Sequence, residues 1–500
     1  MAHLGRRRDM GGAPSVTMRV AVVGGGWAGL SAAVTAVGLG HDVRLFESAA
    51  VLGGRARSVH APALETDIDN GQHILLGAYT ATLALMRDLG LDPARRFVRL
   101  PLSVRSADGT LDLRAPPGLP APLHVAAGLL AARGLSWKEK LSALRAMTVL
   151  RRSGWKTPRG ATVQEWLSLT LQPPRLRALL WAPLCIATLN TPVEQACAQL
   201  FAHVLRDSLG ASRRGVSDML IPRTTLSELW PARVEELARS GAFGQGPHGA
   251  SSAAAALEIH RSTTIRRLRY TGTGPSMREE TGGEGGLCAG MPAGAQRLVL
   301  DDRPEAYDAV LLCGNTPSTS RLLATLPAQP GGDAFLDDLR AFEHAPIATL
   351  TLELERSFVL PSPMLLLHED RHRGHFGQWL FQGQDAGRRL LHVVVSDADA
   401  LLQWERSSAV AGMVEQLREQ LRGHAMPAVL QHALIVEKRA TFLAVPDLRR
   451  PGNRTPWPGV WVAGDWTDTG YPAVLEGAVR SGRDAARAMH ASFSGASLGS

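Results

Sequence analysis

Val20-Ala21-Val22-Val23-Gly24-Gly25-Gly26-Trp27-Ala28-Gly29 decides the fold of this 500-residue chain. An apolar run ends in G-x-G-x-x-G and opens onto a small-residue helix, Ala28 to Gly38, which is the β-turn-α arrangement that holds a pyrophosphate. Gly24 makes the tight turn, Gly26 lets backbone approach phosphate, and Gly29 allows close helix–strand packing. The free N–H groups and positive dipole end of the helix attract the anion.

Val43-Arg44-Leu45-Phe46 reads as the second strand, with Glu47 at its end, where a carboxylate accepts hydrogen bonds from an adenosine ribose. That acid stands about 20 residues beyond the glycine motif, the spacing a dinucleotide site requires, and it disfavours a 2′-phosphate. The residues alone therefore point to FAD or NAD rather than NADP. Gly53-Gly54-Arg55-Ala56-Arg57 follows. Its glycines free the backbone to wrap a ligand, and its arginines offer forks for phosphate or carboxylate.

Five hundred residues exceed one ordinary core, so two domains are expected. The cofactor-binding one is expected to be discontinuous (18–77, 236–335 and 430–492), with a substrate-binding domain at 78–235 and 336–429 inserted into it. Residues 1–17 lack an apolar signal region and read as a disordered tail, or as codons upstream of a start at Met18. Cys185, Cys197, Cys288 and Cys313 are scattered without metal spacing, which suits reduced thiols in a cytoplasm and no bound metal.

The net charge of +8 comes almost wholly from arginine. No interleaved aromatic–basic pattern supports nucleic acid, so an anionic membrane surface is the expected partner. Residues 76–235 read as helical, with Leu/Ala-rich periodic segments broken by prolines. Within them Pro120 to Leu135 is nearly all apolar, and Trp137-Lys138-Glu139-Lys140 begins a basic helix carrying Arg145, Arg151 and Arg152. An apolar segment too short to span, beside tryptophan and cations, fits an interfacial anchor. A buried helix followed by a solvated one fits equally.

Residues 241–256 and 271–296 read as flexible loops or insertions, and Ala256 to Tyr270 alternates like a strand. Tyr307 to Gly314 reads as a buried strand completing the dinucleotide sheet. Residues 345–356 and 390–397 suggest a second sheet. Gly459 to Trp466 is strand then turn, and Pro472 to Ala478 starts a final helix. Asp465 in that turn is placed to accept from the sugar-alcohol chain of a flavin.

Together these residues resemble the flavin amine oxidase and carotenoid desaturase superfamily. Gly24–Gly29, Glu47 and Gly53–Arg57 are similar to its FAD signature, and Ala463-Gly464-Asp465 with Glu476-Gly477-Ala478 to its C-terminal flavin motif. Within it the likeness is greatest to the squalene-associated branch, the hydroxysqualene dehydroxylases of hopanoid biosynthesis. Asp69 to Tyr79, Trp181 to Cys185, Leu189 to Pro192, Leu205 to Leu209, Glu437 to Phe442 and Gly464 to Gly470 carry it. Tyr471 stands where that pattern has a smaller apolar residue.

The resemblance implies an α/β fold, a Rossmann-like FAD-binding domain with an inserted α+β substrate domain. It implies FAD held by Gly24, Gly26, Trp27, Ala28, Gly29, Glu47, Gly54, Arg55, Arg57, Asn70, Gly71, Gln72, Ile265, Gly464, Asp465, Glu476, Gly477 and Ala478. It also implies reduction of hydroxysqualene to squalene, an allylic dehydroxylation by reduced flavin. His73 is the first candidate proton donor, or else a histidine bonded to backbone to shape its turn; Asp468 and Tyr471 are the next.

No second dinucleotide signature occurs, so electrons are expected from an external donor. A phytoene-type desaturase is the alternative, and a non-catalytic prenyl-lipid carrier of the same fold the third reading. The expected location is the cytoplasm, peripheral at the inner face of the cell membrane.

Overall fold

The computed structural model describes residues 17–116, 118–119, 122–210, 215–244, 255–271, 296–383, 387–421 and 423–494. Most of the expected tail and most of both glycine-rich insertions lie outside the described residues.

The first strand, Arg19–Val23, is flanked on both sides by parallel partners. The sheet runs Leu257–His260, Asp42–Phe46, Arg19–Val23, Ala309–Leu312, Val460–Val462, every neighbouring pair parallel. Parallel sheets are covered on both faces, which is why Arg19–Val23, Ala309–Leu312 and Val460–Val462 read as near-continuous apolar runs; Asp42–Phe46 and Leu257–His260, at the other end of the sheet, alternate. Val20, Val22, Val310 and Leu311 are fully buried. Segments far apart in sequence thus meet at one sheet edge, bringing the turns after Val23, Phe46, Leu312 and Val462 together. Ligands of open α/β sheets sit outside such carboxyl ends.

The first helix, Trp27–Gly38, packs against the final helix, Leu475–Ser494. Small residues make the approach possible. A Cβ on Gly482 would fall 2.1 Å from the carbonyl oxygen of Ala28, so the two backbones touch there. Ser31 Oγ donates to the carbonyl of Val479 at 2.9 Å across the same seam. The two ends of the chain are thereby locked into one body.

A second sheet is antiparallel, in the order Met364–Leu366, Trp379–Gln382, Leu390–Ser396, His344–Leu354, Val429–Phe442. Its alternating faces bury Ala348, Leu350 and Leu352 against the Arg406–Gln420 helix on one side. On the other side Ile347, Trp379, Phe381 and Val394 face a cavity.

Two local expectations are corrected. The 76–235 region is not helical throughout: it contains strands Phe97–Leu100, Ser103–Arg105, Asp112–Arg114 and Met219–Pro222. The last pairs with Leu75–Leu76 and Phe97–Leu100, partners that periodicity within one segment cannot show. The alternating stretch Ala256–Tyr270 is not one strand either. Leu257–His260 joins the parallel sheet and Leu268–Tyr270 a separate antiparallel one. Between them the chain turns at Ser262 (φ 52°), and Thr263 N–H donates to the carbonyl of Glu47 at 2.8 Å.

Candidate active site

A single cavity of about 1300 Å³ lies under the carboxyl ends of the parallel strands. It exceeds the roughly 300–1,000 Å³ of an ordinary ligand pocket. One arm is polar and glycine-rich, lined by Gly24, Gly26, Glu47, Gly54, Arg55 and Asp465; the other is apolar and runs into the helical region.

In the polar arm the first helix begins at Gly26 with no side chain capping it and no acid in its first turn. Uncapped N–H groups at a helix start form an anion site. Glu47 is buried, and its carboxylate is held by two backbone donors, Gly25 N–H at 2.6 Å and Ala49 N–H at 2.7 Å. Ser48 Oγ also donates to Oε1, at 3.1 Å, so it is Oε2 that keeps a lone pair for a further donor. Ile265 is buried and lines the cavity with Thr263 and Thr264. Gly314 and Asn315, at the end of Ala309–Leu312, close this arm, and Asn315 caps the next helix through Ser318 N–H at 3.0 Å.

The middle of the cavity is a charged hinge between the chain's two ends. Arg55 donates through Nη2 to Asp465 Oδ1 at 2.6 Å and through Nη1 to the carbonyl of Ala440 at 2.7 Å. Asn70 Nδ2 bonds the Arg55 carbonyl at 3.2 Å and Glu437 Oε2 at 3.3 Å. Arg450 organises the other wall. Its guanidinium donates to the carbonyls of Trp466 (3.2 Å), Tyr471 (2.6 Å), Asp465 (3.0 Å) and Thr467, so one side chain shapes the whole 465–471 loop.

His73 lines the cavity with its Nδ1 2.7 Å from the carbonyl oxygen of Gly71. A carbonyl only accepts, so Nδ1 carries a proton, and in the neutral ring Nε2 is a bare acceptor. Burial lowers the pKa below the ordinary histidine value, and the Arg55 charge adds to that, outweighing the opposing Gly71 bond. A neutral His73 therefore accepts a hydrogen bond and has no proton to donate at Nε2. The backbone-bonded alternative describes its Nδ1.

Tyr471 lines the cavity beside Asp207. Burial, with the neighbouring Asp207 carboxylate, pushes its phenol well above the ordinary tyrosine pKa, so the hydroxyl stays protonated. Asp207 belongs to the π-helical turn Arg206–Gly210, and a second π-helical turn, Arg177–Trp181, also borders the cavity through Leu180 and Trp181. Such turns are rare and cluster at functional sites.

The remaining candidates separate cleanly. Trp27, Ala28, Asn70, Gly71, Gln72, Gly464 and Ala478 line the cavity. Gly29, Arg57, Gly477, Glu476 and Asp468 do not. Asp468 is exposed, which removes it as a proton donor inside the cavity. Glu476 is fully buried elsewhere. Its carboxylate accepts from Ala81 N–H (2.9 Å), Thr82 N–H (3.0 Å) and Thr82 Oγ1 (2.8 Å), and it pairs with Arg480 at 2.8 Å. Glu476 is thus the cap of the Thr80–Asp88 helix and not a cofactor contact.

Sequence reading missed Arg450, Asp207, Glu437 and Asn315 as members of the site. Asp207 and Glu437 stand within stretches that carried the family likeness, which was the available signal. Arg450, in Asp447-Leu448-Arg449-Arg450, carried none.

The apolar arm is lined by Val125 and Leu129, Ala143 and Met147, Leu184, Phe201 and Met219, with Trp379 and Phe381 from the second sheet opposite. The donor set fits FAD: an uncapped helix start for the pyrophosphate, buried acceptors at Glu47 and Asp465, and Arg55 between them.

Residues 27–490 match the model of the flavin containing amine oxidoreductase family. Hydroxysqualene dehydroxylases of Zymomonas mobilis and Rhodopseudomonas palustris are similar along the length, at 24% and 27% identity over 93% of this chain and 97% of each relative. A probable zeta-carotene desaturase of Synechococcus elongatus is 24% identical over 94% of this chain and 98% of its own. Among solved structures, cyclohexylamine oxidase from Brevibacterium oxydans superposes with a TM-score of 0.62 at 17% identity, covering 96% of this chain and all of that one (100%).

Proposed function

The chain belongs to the flavin containing amine oxidoreductase family and is an FAD-dependent oxidoreductase, and we propose that within it the enzyme reduces hydroxysqualene to squalene. The observation that carries this reading is the single cavity, in which a cofactor arm continues without a wall into a long apolar arm. An amine substrate has no use for that arm, whereas an isoprenoid chain needs it to leave water. Full-length similarity to the two dehydroxylases supports the substrate class.

The balance of the reaction is simple. The allylic C–O bond breaks, its oxygen takes a proton and departs as water, and a hydride forms the new C–H bond. When bound, the flavin supplies that hydride. The protein's own residues do the rest. The apolar arm orients the chain and excludes water. Nε2 of His73 accepts a hydrogen bond from the substrate hydroxyl and fixes which carbon is presented. Tyr471, its hydroxyl kept protonated next to Asp207, lines the same cavity and is the group assigned to give the departing oxygen its proton.

One observation favours a second reading. A neutral His73 with a bare Nε2 is also suited to take a proton, as a desaturase working on a polyisoprenoid such as phytoene requires.

The two readings differ in redox direction, and that is measurable. Reduced enzyme under anaerobic conditions, given hydroxysqualene in detergent, is expected to regain the oxidised flavin spectrum while squalene forms one for one. Flavin that stays reduced with substrate delivered would discard the dehydroxylase reading, and bleaching of oxidised enzyme by phytoene would then establish the desaturase.

Substituting His73→Ala is expected to lower kcat by about tenfold to a hundredfold with flavin content unchanged, the scale of a lost positioning or proton-transfer contact. The pH profile carries the sign. The neutral ring is the working form and its pKa is lowered, so wild-type activity is flat through neutrality. It falls only below the ordinary histidine value of about 6.5. In the alanine variant that acidic limb disappears; a limb that persists would show that another group titrates.

A further inference from the structure

The helices that line the apolar arm turn an unusual outer face to the exterior. Leu123–Ala131 and Trp137–Arg152 present Val125, Leu129, Ala143 and Met147 to the cavity. On the outside, Leu123 is 57% exposed, Trp137 66% and Leu141 60%, with Leu130 and Val149 also exposed.

Leu171, 69% exposed, joins the same patch, because Ser142 Oγ donates to its carbonyl at 3.3 Å. Lys140 ties the two helices, donating to the carbonyl of Leu130 at 2.7 Å while its ammonium lies 4.8 Å from the Trp137 ring centroid. The exposed apolar side chains are therefore one surface, not scattered singles, and such patches mark interaction sites.

Charge says what kind of partner. Between Asp112 and Glu165 the chain holds nine arginines and lysines and one acid, Glu139. That acid is buried, bonded to Ser136 and Arg175, and contributes no free negative charge to the surface. Along the Trp137–Arg152 helix Lys138, Arg145, Arg151 and Arg152 are all exposed beside the apolar residues. Leucine and tryptophan ringed by cations is the chemistry of an amphipathic surface lying in an anionic lipid interface. No helix among the described residues is long and apolar enough to cross a membrane.

We propose that this face of the two helices seats on an anionic lipid bilayer, and that the apolar arm is filled through it, directly from lipid. Only one layer of helix separates the patch from the cavity: Leu130 and Leu141 point out where Leu129 and Ala143 point in. A long apolar substrate then passes from bilayer to cavity without crossing water. The loading step rests on the isoprenoid reading above; the lipid contact does not.

The test uses the flavin-loaded full chain and vesicles with no substrate. Wild type is expected to sediment with phosphatidylcholine–phosphatidylglycerol vesicles more than with phosphatidylcholine alone, and less as salt rises. The double substitution Trp137→Ser with Leu141→Ser, at exposed positions that leave the fold and flavin content intact, is expected to weaken that binding by at least about tenfold. The same variant should turn over detergent-dispersed hydroxysqualene like wild type and lose activity on substrate embedded in vesicles.

Wild type remaining in the supernatant with both vesicle types, or the variant sedimenting like wild type, would overturn the proposal. So would a wild-type dimer that the substitutions convert to monomer, because the face would then be a contact between copies. Vesicle binding without turnover in any form would spare this surface and discard the dehydroxylase reading.

Discussion

Gly29→Ala is expected to yield no folded, flavin-containing protein. A Cβ at this position would lie 1.8 Å from the carbonyl oxygen of Gly24 and 3.2 Å from Cys313 Cβ. The first neighbour is backbone, fixed by the pairing of Arg19–Val23 with two parallel strands, so it cannot yield as a flexible side chain would. Overpacking in a tight core costs about 1–3 kcal/mol. Here the helix itself must move away from the sheet, and the final helix, in backbone contact with Ala28, must move with it. The loss is therefore placed above about 4 kcal/mol, the range of exceptional single substitutions. Soluble expression, thermal unfolding and the flavin absorbance of the purified protein check it. A yellow Gly29→Ala protein with wild-type Tm would contradict the backbone contact.

The second large effect is expected at Arg450. Its guanidinium holds four carbonyls of the 465–471 loop, and it lies with its central carbon 4.9 Å from the Phe442 ring centroid. Hydrogen bonds to a charged partner are worth about 1.5–3 kcal/mol each, though not additively. Arg450→Met keeps the length of the side chain and removes every donor. The loop that presents Asp465 and Tyr471 to the cavity then loses its shape. The expected result is a folded protein with Tm lowered by several degrees, flavin affinity reduced at least about a hundredfold, and hydroxysqualene turnover lost. Arg450→Lys, with donors but no planar fork, is expected to fall between. Equilibrium flavin titration of the apoprotein distinguishes these outcomes. Wild-type flavin affinity in the methionine variant would show that the loop is held by other contacts.

Both expectations concern the same seam, where the two ends of the chain meet, and they differ in how visible that seam is in the sequence. Gly29 sits in a motif whose every position has a local reason: the turn, the strand before it and the helix after it are read from backbone preference and apolar pattern over about 30 residues. Val43–Phe46 with Glu47, Tyr307–Gly314 and Gly459–Trp466 are legible for the same reason, and the parallel sheet places them side by side. Two of the second sheet's five strands, His344–Leu354 and Leu390–Ser396, are legible in the sequence; Met364–Leu366, Trp379–Gln382 and Val429–Phe442 are not.

Arg450 looked like any other arginine in a basic chain. Glu476 shows the point from the opposite side. It stands in a flavin-like motif, yet its carboxylate closes the start of a helix 394 residues away in sequence, at Thr82. Asp468, three residues beyond Asp465, faces solvent rather than the cavity, a choice made by the path of a short irregular loop.

The sequence by itself determined the α/β class, the dinucleotide site and the cofactor class, because glycine torsions and strand and helix periods are properties of short segments. Only the tertiary structure decided that the cofactor arm opens into an apolar arm, that His73 spends its Nδ1 on Gly71, and that Arg450 and Glu476 serve loops and helix ends they do not belong to. Those outcomes are pairings of polar groups distant along the chain. Burial forces each such group to find a partner, and which partner it finds is fixed by where the packed elements bring it.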